Sequence, residues 1–418
     1  MRRLRIPERT VIRIDEARLQ ARMAALARIG RDPRGGVSRL AYSDADREAR
    51  ETVTAWMREA GLTPRVDAAG NIIARRDGTD ASLAPLLFGS HVDSVPNGGD
   101  LDGPLGTLAA IEAAHTMLDA GVRTRHPIEV VVWSNEEGGL YGSRAVSGQL
   151  PHAELDNVSA SGRTIADGIR AIGGDPERLA EARRAPGSIA GYLELHIEQG
   201  QVLENTGTDI GIVLGIVAIH QWEVTITGVT NHSGTTPMDR RHDAVLAGAR
   251  FVELVHRVVI DEPGTHVGTV GRFEAGPGAP NAIAGKVVCS LELRALDTGV
   301  IERLYARIET GAKAIAEATG TTFAFSGLIA SVPAPSDPRI RAAIAAAART
   351  VGCSAREMPS GAGHDAQCLA PLGPIGMIFI PSVGGVSHSP EEYSTPEAVR
   401  NGANVLLHAV LEADRTLP

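Results

Sequence analysis

The chain has 418 residues, too many for one ordinary hydrophobic core, so two domains are expected. Apolar residues make up 43% and aromatic residues only 3%, which describes a globular protein whose core is filled by aliphatic side chains and alanine. A net charge of −9 argues against nucleic acid or an anionic membrane surface as a partner.

Reading from the N-terminus, Met1-Arg2-Arg3-Leu4-Arg5-Ile6-Pro7 is basic but lacks the apolar stretch of a signal peptide. Apolar run lengths fall short of the roughly 20 residues of a membrane span. Cys289, Cys353 and Cys368 are widely spaced and odd in number, as expected of reduced thiols in a cytoplasmic protein. Residues 9–30 carry Val11, Ile14, Leu19, Met23 and Leu26 at helical spacing. A second helix is expected from Ser43-Asp44-Ala45-Asp46, a good N-cap sequence, to Ala60, where Gly61 stops it. Strands and helices then alternate: strands over Asn71–Arg75 and Pro85–Gly89, a helix over Leu105–Ala120, and a buried strand over Ile128–Trp133. This rhythm predicts an α/β domain with a mixed, mostly parallel sheet and helices on both faces. Functional residues in such folds collect at the carboxyl ends of strands.

Around residue 213 the texture changes. Gln221–Thr227 and Lys286–Arg294 alternate as half-buried strands, and Asp243–Val259 and Ile301–Thr319 are helix-like. The expectation is an inserted α+β domain with an antiparallel sheet over 214–331, within a catalytic domain formed by 1–213 and 332–418. Ser331–Ser336 reads as the return linker, after which an Ala-rich helix over Asp337–Ala348 and a strand over Ile375–Ile380 resume the first domain.

Titratable residues recur where those strands end. His91 and Asp93 follow the Pro85–Gly89 strand two residues apart, so in extended chain they face the same way. Asp93 is placed to support a metal-bound histidine, or the pair simply bonds to the backbone at a strand end. Asp102 sits in a glycine-rich turn, Asn97–Gly103, where it either bridges two cations or belongs to an ordinary Asp-Gly turn. Glu136-Glu137 follows Ile128–Trp133. In a cleft two adjacent carboxylates repel unless cations compensate, whereas on a surface they form a solvated acidic turn. His196 follows Tyr192–Leu195, and His388 lies in the loop after Ile375–Ile380; each could also be a lone structural histidine. His364 stands in Ser360-Gly361-Ala362-Gly363-His364-Asp365-Ala366, whose glycines suit backbone lying close to a ligand. The other histidines read as surface or packing residues.

Together these motifs resemble the dinuclear metallo-amidohydrolases of the aminoacylase and carboxypeptidase type. Within that group they are most similar to the hydantoinase/carbamoylase branch, which includes N-carbamoyl-L-amino acid hydrolases, β-ureidopropionases and allantoate amidohydrolases. The likeness spans nearly the whole chain, through Gly35–Ala41, Leu195-His196-Ile197-Glu198-Gln199-Gly200, Asn231-His232-Ser233-Gly234-Thr235-Thr236-Pro237-Met238 and Ser360–Ala366.

The resemblance implies two divalent cations per subunit, of zinc, manganese, cobalt or nickel. One would take His91, His196 and a bridging Asp102, the other Asp102, Glu137 and His388. It implies Glu136 as general base with Asp93 and His232 in the catalytic set. For a small-molecule carboxylate substrate it implies Gln199 and His232 at the carbamoyl or ureido end, Asn281 and Arg294 at the carboxylate, and Gly363 and His364 nearby. The inserted domain would be a lid and homodimerisation surface. One departure is visible: the branch commonly carries a Ser-Arg-Phe-like sequence after the glutamate pair, and this chain has Gly138-Gly139-Leu140-Tyr141-Gly142. The expected activity is metal-dependent hydrolysis of a linear C–N amide in an N-carbamoyl or ureido acid, releasing ammonia and carbon dioxide. The alternatives are an aminoacylase or dipeptidase on the same scaffold, or a non-catalytic metal-binding protein.

Overall fold

A computed structural model describes residues 11–418, so the basic Met1–Pro7 segment and the first two residues of the expected N-terminal helix lie outside the described residues. The chain divides into two compact units. The second comprises Gly215–Ala334 with Gly361–Gly363, and the first holds the remainder.

The first unit is built on a nine-stranded sheet. Its centre is four parallel strands in the order Ile128–Trp133, Leu86–His91, Gly191–Ile197 and Ile375–Ile380. Thr63–Val66 and Ile72–Arg76 add on antiparallel beside Ile128–Trp133, and Ile210–Ile216 adds on antiparallel beside Ile375–Ile380. The four central strands are buried along their whole length, which is why they are predominantly apolar and do not alternate with exposed polar residues.

One face of the sheet presents Leu86, Phe88, Val130, Val132, Leu193, Leu195, Ile378 and Ile380 to a core shared with Leu105 and Leu108 of helix Pro104–Asp119 and Val405, Leu406 and Val410 of helix Pro396–Thr416. Each such side chain, fully buried, contributes about 1.5–3 kcal/mol. Gly106 lets the first of these helices close on the sheet, because a Cβ there would meet the Leu195 carbonyl at 2.3 Å. The opposite face carries Trp133, Tyr192, His196 and Phe379, with the short helix Asp365–Leu369 packed against Gly191–Ile197 and Ile375–Ile380. His91 and His196 are the last and penultimate residues of their strands, so both stand at the carboxyl rim.

The second unit has a five-stranded sheet whose main path is Phe273–Gly276, Lys286–Ala295, Ala218–Thr227 and Thr322–Ala330, all antiparallel, with Val267–Thr269 also paired to Lys286–Ala295. Helices Ala244–Asp261 and Thr298–Thr319 pack on it through Phe251, Leu254, Leu304 and Ile308.

Several expectations need correction. The first helix runs only Glu16–Leu26, because Asp15 caps it by accepting the Arg18 amide; Val11 and Ile14 precede it in neither helix nor strand. The return segment is not a plain linker, since Ala334–Pro335 pairs into the large sheet. Among the elements that escaped the sequence reading are strands Ile210–Ile216 and Thr322–Ala330 and helix Pro396–Thr416. The cysteines are all unpaired, Cys289 and Cys368 buried and Cys353 partly so. Among the described residues no helix is long and apolar enough to cross a membrane.

Candidate metal centre

His91 is 1% exposed, and its Nδ1 lies 3.0 Å from the Asp93 carbonyl. A carbonyl only accepts, so Nδ1 carries a proton, and Nε2 is the atom that presents a lone pair whenever the ring is neutral, as it must be to hold a cation. That Nε2 is buried and forms no hydrogen bond among the described residues. It sits 3.6 Å from Asp102 Oδ1 and 3.7 Å from Glu136 Oε2. His196 repeats the pattern: Nδ1 is 2.9 Å from the Ile197 carbonyl, and Nε2 is 3.1 Å from the same Asp102 oxygen.

Asp102 lies on the turn before helix Pro104–Asp119, where Gly103 takes φ +82°. A Cβ on Gly103 would stand 2.4 Å from the His91 ring, so glycine is required there for His91 and Asp102 to approach. The second carboxylate oxygen of Asp102 points the other way. It accepts from Gln199 Nε2 at 2.6 Å and lies 3.3 Å from His388 Nε2. His388 Nε2 is in turn 3.6 Å from Glu137 Oε2. Two three-residue groups with metal-ligand spacing therefore share Asp102: His91–Asp102–His196 and Asp102–Glu137–His388.

Asp93 has a different geometry from a simple carboxylate partner for His91. Its carbonyl holds the ring, while its carboxylate is 3.7 Å from Nδ1 and accepts the amides of Glu136 at 3.3 Å and Glu137 at 3.1 Å. Asp93 thus fixes the turn bearing both glutamates. Asn135 and Leu140, with φ of 52° and 59°, complete that turn.

The electrostatics follow from this crowding of buried carboxylates and histidines. Burial opposes charge on His91, yet Glu136, Asp102 and Asp93 hold its ring well above the ordinary histidine range. The Asp102 contact pushes His388 up to about 9. Burial, with the charge of Asp102, pushes Glu137 up to about 7. Burial and the carboxylates of Asp365, Glu137 and Asp102 raise Glu136 well above the usual carboxylate range, against the pull of His91. The centre is an excess of buried negative charge and lone pairs that draws in positive charge.

The residues expected near the substrate are placed as follows. Gln199, at φ +59°, reaches Asp102 as above. His364 is buried, its ring edge against His196 at 4.5 Å between centroids and its Nε2 2.9 Å from Ser360 Oγ. Gly363 falls with Gly361 in the second unit. In that unit His232 and Asn281 are exposed and adjacent, brought together by the two-residue strands Asn231–His232 and Ala282–Ile283. His232 Nδ1 accepts the amides of Gly234 and Thr235, so its neutral ring carries its proton on Nε2. Arg294, toward the far end of Lys286–Ala295, pairs with Glu292 at 2.6 Å and donates to the Gly361 carbonyl at 2.7 Å. The departure at Leu140-Tyr141 is absorbed structurally: Tyr141 is buried with Tyr42, Leu155 and Ile165, and its hydroxyl accepts from Asn157.

The sequence reading missed Glu392, Ser387, Glu194 and Asp365. Glu194 and Asp365 are fully buried acids, held by Ser90 and Tyr192 and by Ser143 respectively. Glu194 and Asp365 stand beside His196 and His364 in sequence as Ser387 and Glu392 stand near His388, but nothing local marked any of the four as functional.

The model of peptidase family M20/M25/M40 matches residues 87–412. This chain belongs to that family. It is 43% identical to the N-carbamoyl-L-amino acid amidohydrolase of Geobacillus stearothermophilus, over 95% of this chain and 98% of the relative. Against the allantoate amidohydrolase of Escherichia coli (strain K12) the identity is 35%, over 91% and 94%. A hydantoinase/carbamoylase family amidase of Burkholderia multivorans superposes with a TM-score of 0.90 at 37% identity, covering 97% of this chain and all of that one. The protein is thus an enzyme of the hydantoinase/carbamoylase branch of a metal-dependent hydrolase family. The residues fit the cations that family membership implies. The lone pair of His91 Nε2 is buried with no hydrogen bond, His196 Nε2 aims a second lone pair at a carboxylate, and the mixed nitrogen and oxygen donors suit borderline divalent ions.

Proposed function

We propose that this enzyme hydrolyses the linear C–N amide bond of an N-carbamoyl or ureido acid. The carbamate so formed breaks down to ammonia and carbon dioxide. The observation that carries this reading is the pair of ligand groups sharing Asp102 beside the buried Glu136, in a chain alike end to end to named carbamoyl and allantoate amidohydrolases.

In this reading His91, His196 and Asp102 hold one divalent cation, and Asp102, Glu137 and His388 hold a second, of zinc, manganese, cobalt or nickel. Bound there, the cations polarise the substrate carbonyl and acidify water. Glu136 takes the proton from the attacking water and delivers it to the leaving nitrogen. Asp93 keeps Glu136 and Glu137 in register through their amides. Arg294 and Asn281 take the substrate carboxylate, the guanidinium exchanging its Glu292 partner for it. Gln199, Gly363 and His364 line the carbamoyl end.

The enzyme acts as a cytoplasmic homodimer, the second unit serving as lid and dimerisation surface. There His232 of the partner subunit donates its Nε2 proton to the oxyanion.

Ammonia release from a panel of N-carbamoyl amino acids, β-ureidopropionate, allantoate and ureidoglycolate tests the activity. Metal-dependent ammonia from at least one is expected. Silence on all of them, with acetate or free amino acids released from N-acetyl amino acids or dipeptides, would replace this reading by an aminoacylase or dipeptidase.

A further inference from the structure

Asp102 and His388 stand on segments far apart in sequence, one on the turn after the Leu86–His91 strand and the other in the loop after Ile375–Ile380. One side chain joins them. Glu392 is 6% exposed, and its Oε1 accepts the backbone amides of Leu101 at 3.1 Å and of Asp102 at 3.0 Å. Its Oε2 accepts the Ser387 hydroxyl at 2.8 Å. Ser387 precedes His388, and its Oγ also lies 3.1 Å from Asp102 Oδ2. The space is reserved for this carboxylate, since a Cβ on Gly99 would stand 2.1 Å from Glu392 Oε1.

His388 needs such support. Its φ of 55° is a left-handed conformation that a non-glycine residue keeps only where the surroundings enforce it. The loop around it is closed by Glu392 N to the Ser389 carbonyl at 3.1 Å and Val383 N to the Tyr393 carbonyl at 2.8 Å. His91 and His196, by contrast, sit at strand ends and do not touch Glu392. Charge-assisted bonds from a buried carboxylate to main-chain amides are among the stronger neutral-to-ion contacts, and they fix orientation as well as distance.

We propose that Glu392 is a positioning residue that couples the Asp102 turn to the His388 loop and thereby forms the second cation half-site, without ligating a cation itself. The proposal rests on the two-cation reading above. Residues that orient metal ligands typically change metal affinity by about 10–100-fold when removed.

The test uses full-length wild type, Glu392→Ala, Glu392→Gln and Ser387→Ala. Each is loaded with Mn²⁺, passed through gel filtration and measured for bound metal, and the second equivalent is titrated against a competing chelator. Wild type should bind two equivalents. Glu392→Ala should keep the first and bind the second about 10–100-fold more weakly, with turnover recovering as Mn²⁺ is added. Glu392→Gln should fall between them, because its amide oxygen still accepts from Leu101 and Asp102. Ser387→Ala should weaken the second equivalent alone, and these two variants carry the test if the alanine variant does not fold. Wild-type affinity for both equivalents in Glu392→Ala and Glu392→Gln, or loss of both equivalents together, would overturn the proposal. Fewer than two equivalents in wild type would instead overturn the two-cation reading.

Discussion

In the first unit His91, His196 and Asp102 are 1%, 1% and 7% exposed; the two histidines donate to backbone carbonyls and Asp102 accepts from Gln199, which fixes each one. In the second unit His232 and Asn281 are exposed, and Arg294 is partly covered, its guanidinium occupied by Glu292. The first arrangement is preorganised: the donors converge before anything binds, so little reorganisation is left for the reaction. The second leaves His232 and Asn281 open to solvent, and the proposed function gives their partner as the substrate or the other subunit. Substitutions in the first unit should therefore change metal content or kcat, and those in the second should change KM or depend on assembly.

The largest effect is expected at Glu136. Glu136→Gln keeps the shape and should lower kcat by about 10²–10⁴-fold with bound metal unchanged. If metal is lost while activity survives reconstitution, Glu136 and Glu137 have exchanged roles.

Next comes His232→Ala, which removes one oxyanion donor and should cost about 10²–10³-fold. Mixing it with Glu136→Gln under subunit exchange sharpens the comparison. If His232 serves the partner's site, a heterodimer has one site with neither lesion, and activity should recover towards half per heterodimer. A mixture that stays dead would place His232 in its own chain's site.

His388→Ala should lose the second equivalent selectively and spare the first, because in the proposed arrangement it ligates only the second ion; it is half-exposed on a loop while the other two histidines are strand-borne. Equal loss of both equivalents, read by metal analysis, would make the two half-sites one cooperative unit.

The smallest effect is expected at Arg294. Arg294→Lys should raise KM for the carboxylate substrate by about tenfold, the equivalent of one charged hydrogen bond, with kcat little changed. An unchanged KM would leave Arg294 as the partner of Glu292 alone.

How far the sequence could be read depended on how local the determinant was. Ile128–Trp133 and Ile375–Ile380 were legible to the residue, since each is a short, mostly apolar run buried on both faces. The candidate ligand residues could be picked out because most follow such a run or sit in a glycine-rich turn, and because their order along the chain resembled a known family. Thr322–Ala330 was not legible: it is a mostly exposed edge strand with an irregularity between Gly327 and Ile329, so its alternation fades. The start of the first helix was misplaced because helical spacing continues through Val11 and Ile14, and only the Asp15 cap decides where the helix begins. Glu392 was invisible in another way. Its partners Leu101 and Asp102 lie 291 and 290 residues away, and only the fold brings them together.

The central claim is that two cations share Asp102 and that turnover needs both. The most direct measurement is to titrate exhaustively chelated enzyme with Mn²⁺ or Zn²⁺, following bound metal and ammonia release from an N-carbamoyl amino acid or ureido acid in the same samples. Two equivalents should bind per chain, the first more tightly, with turnover rising as the second half-site fills. Full activity in the metal-free protein, or saturation of both binding and turnover at one equivalent, would contradict it.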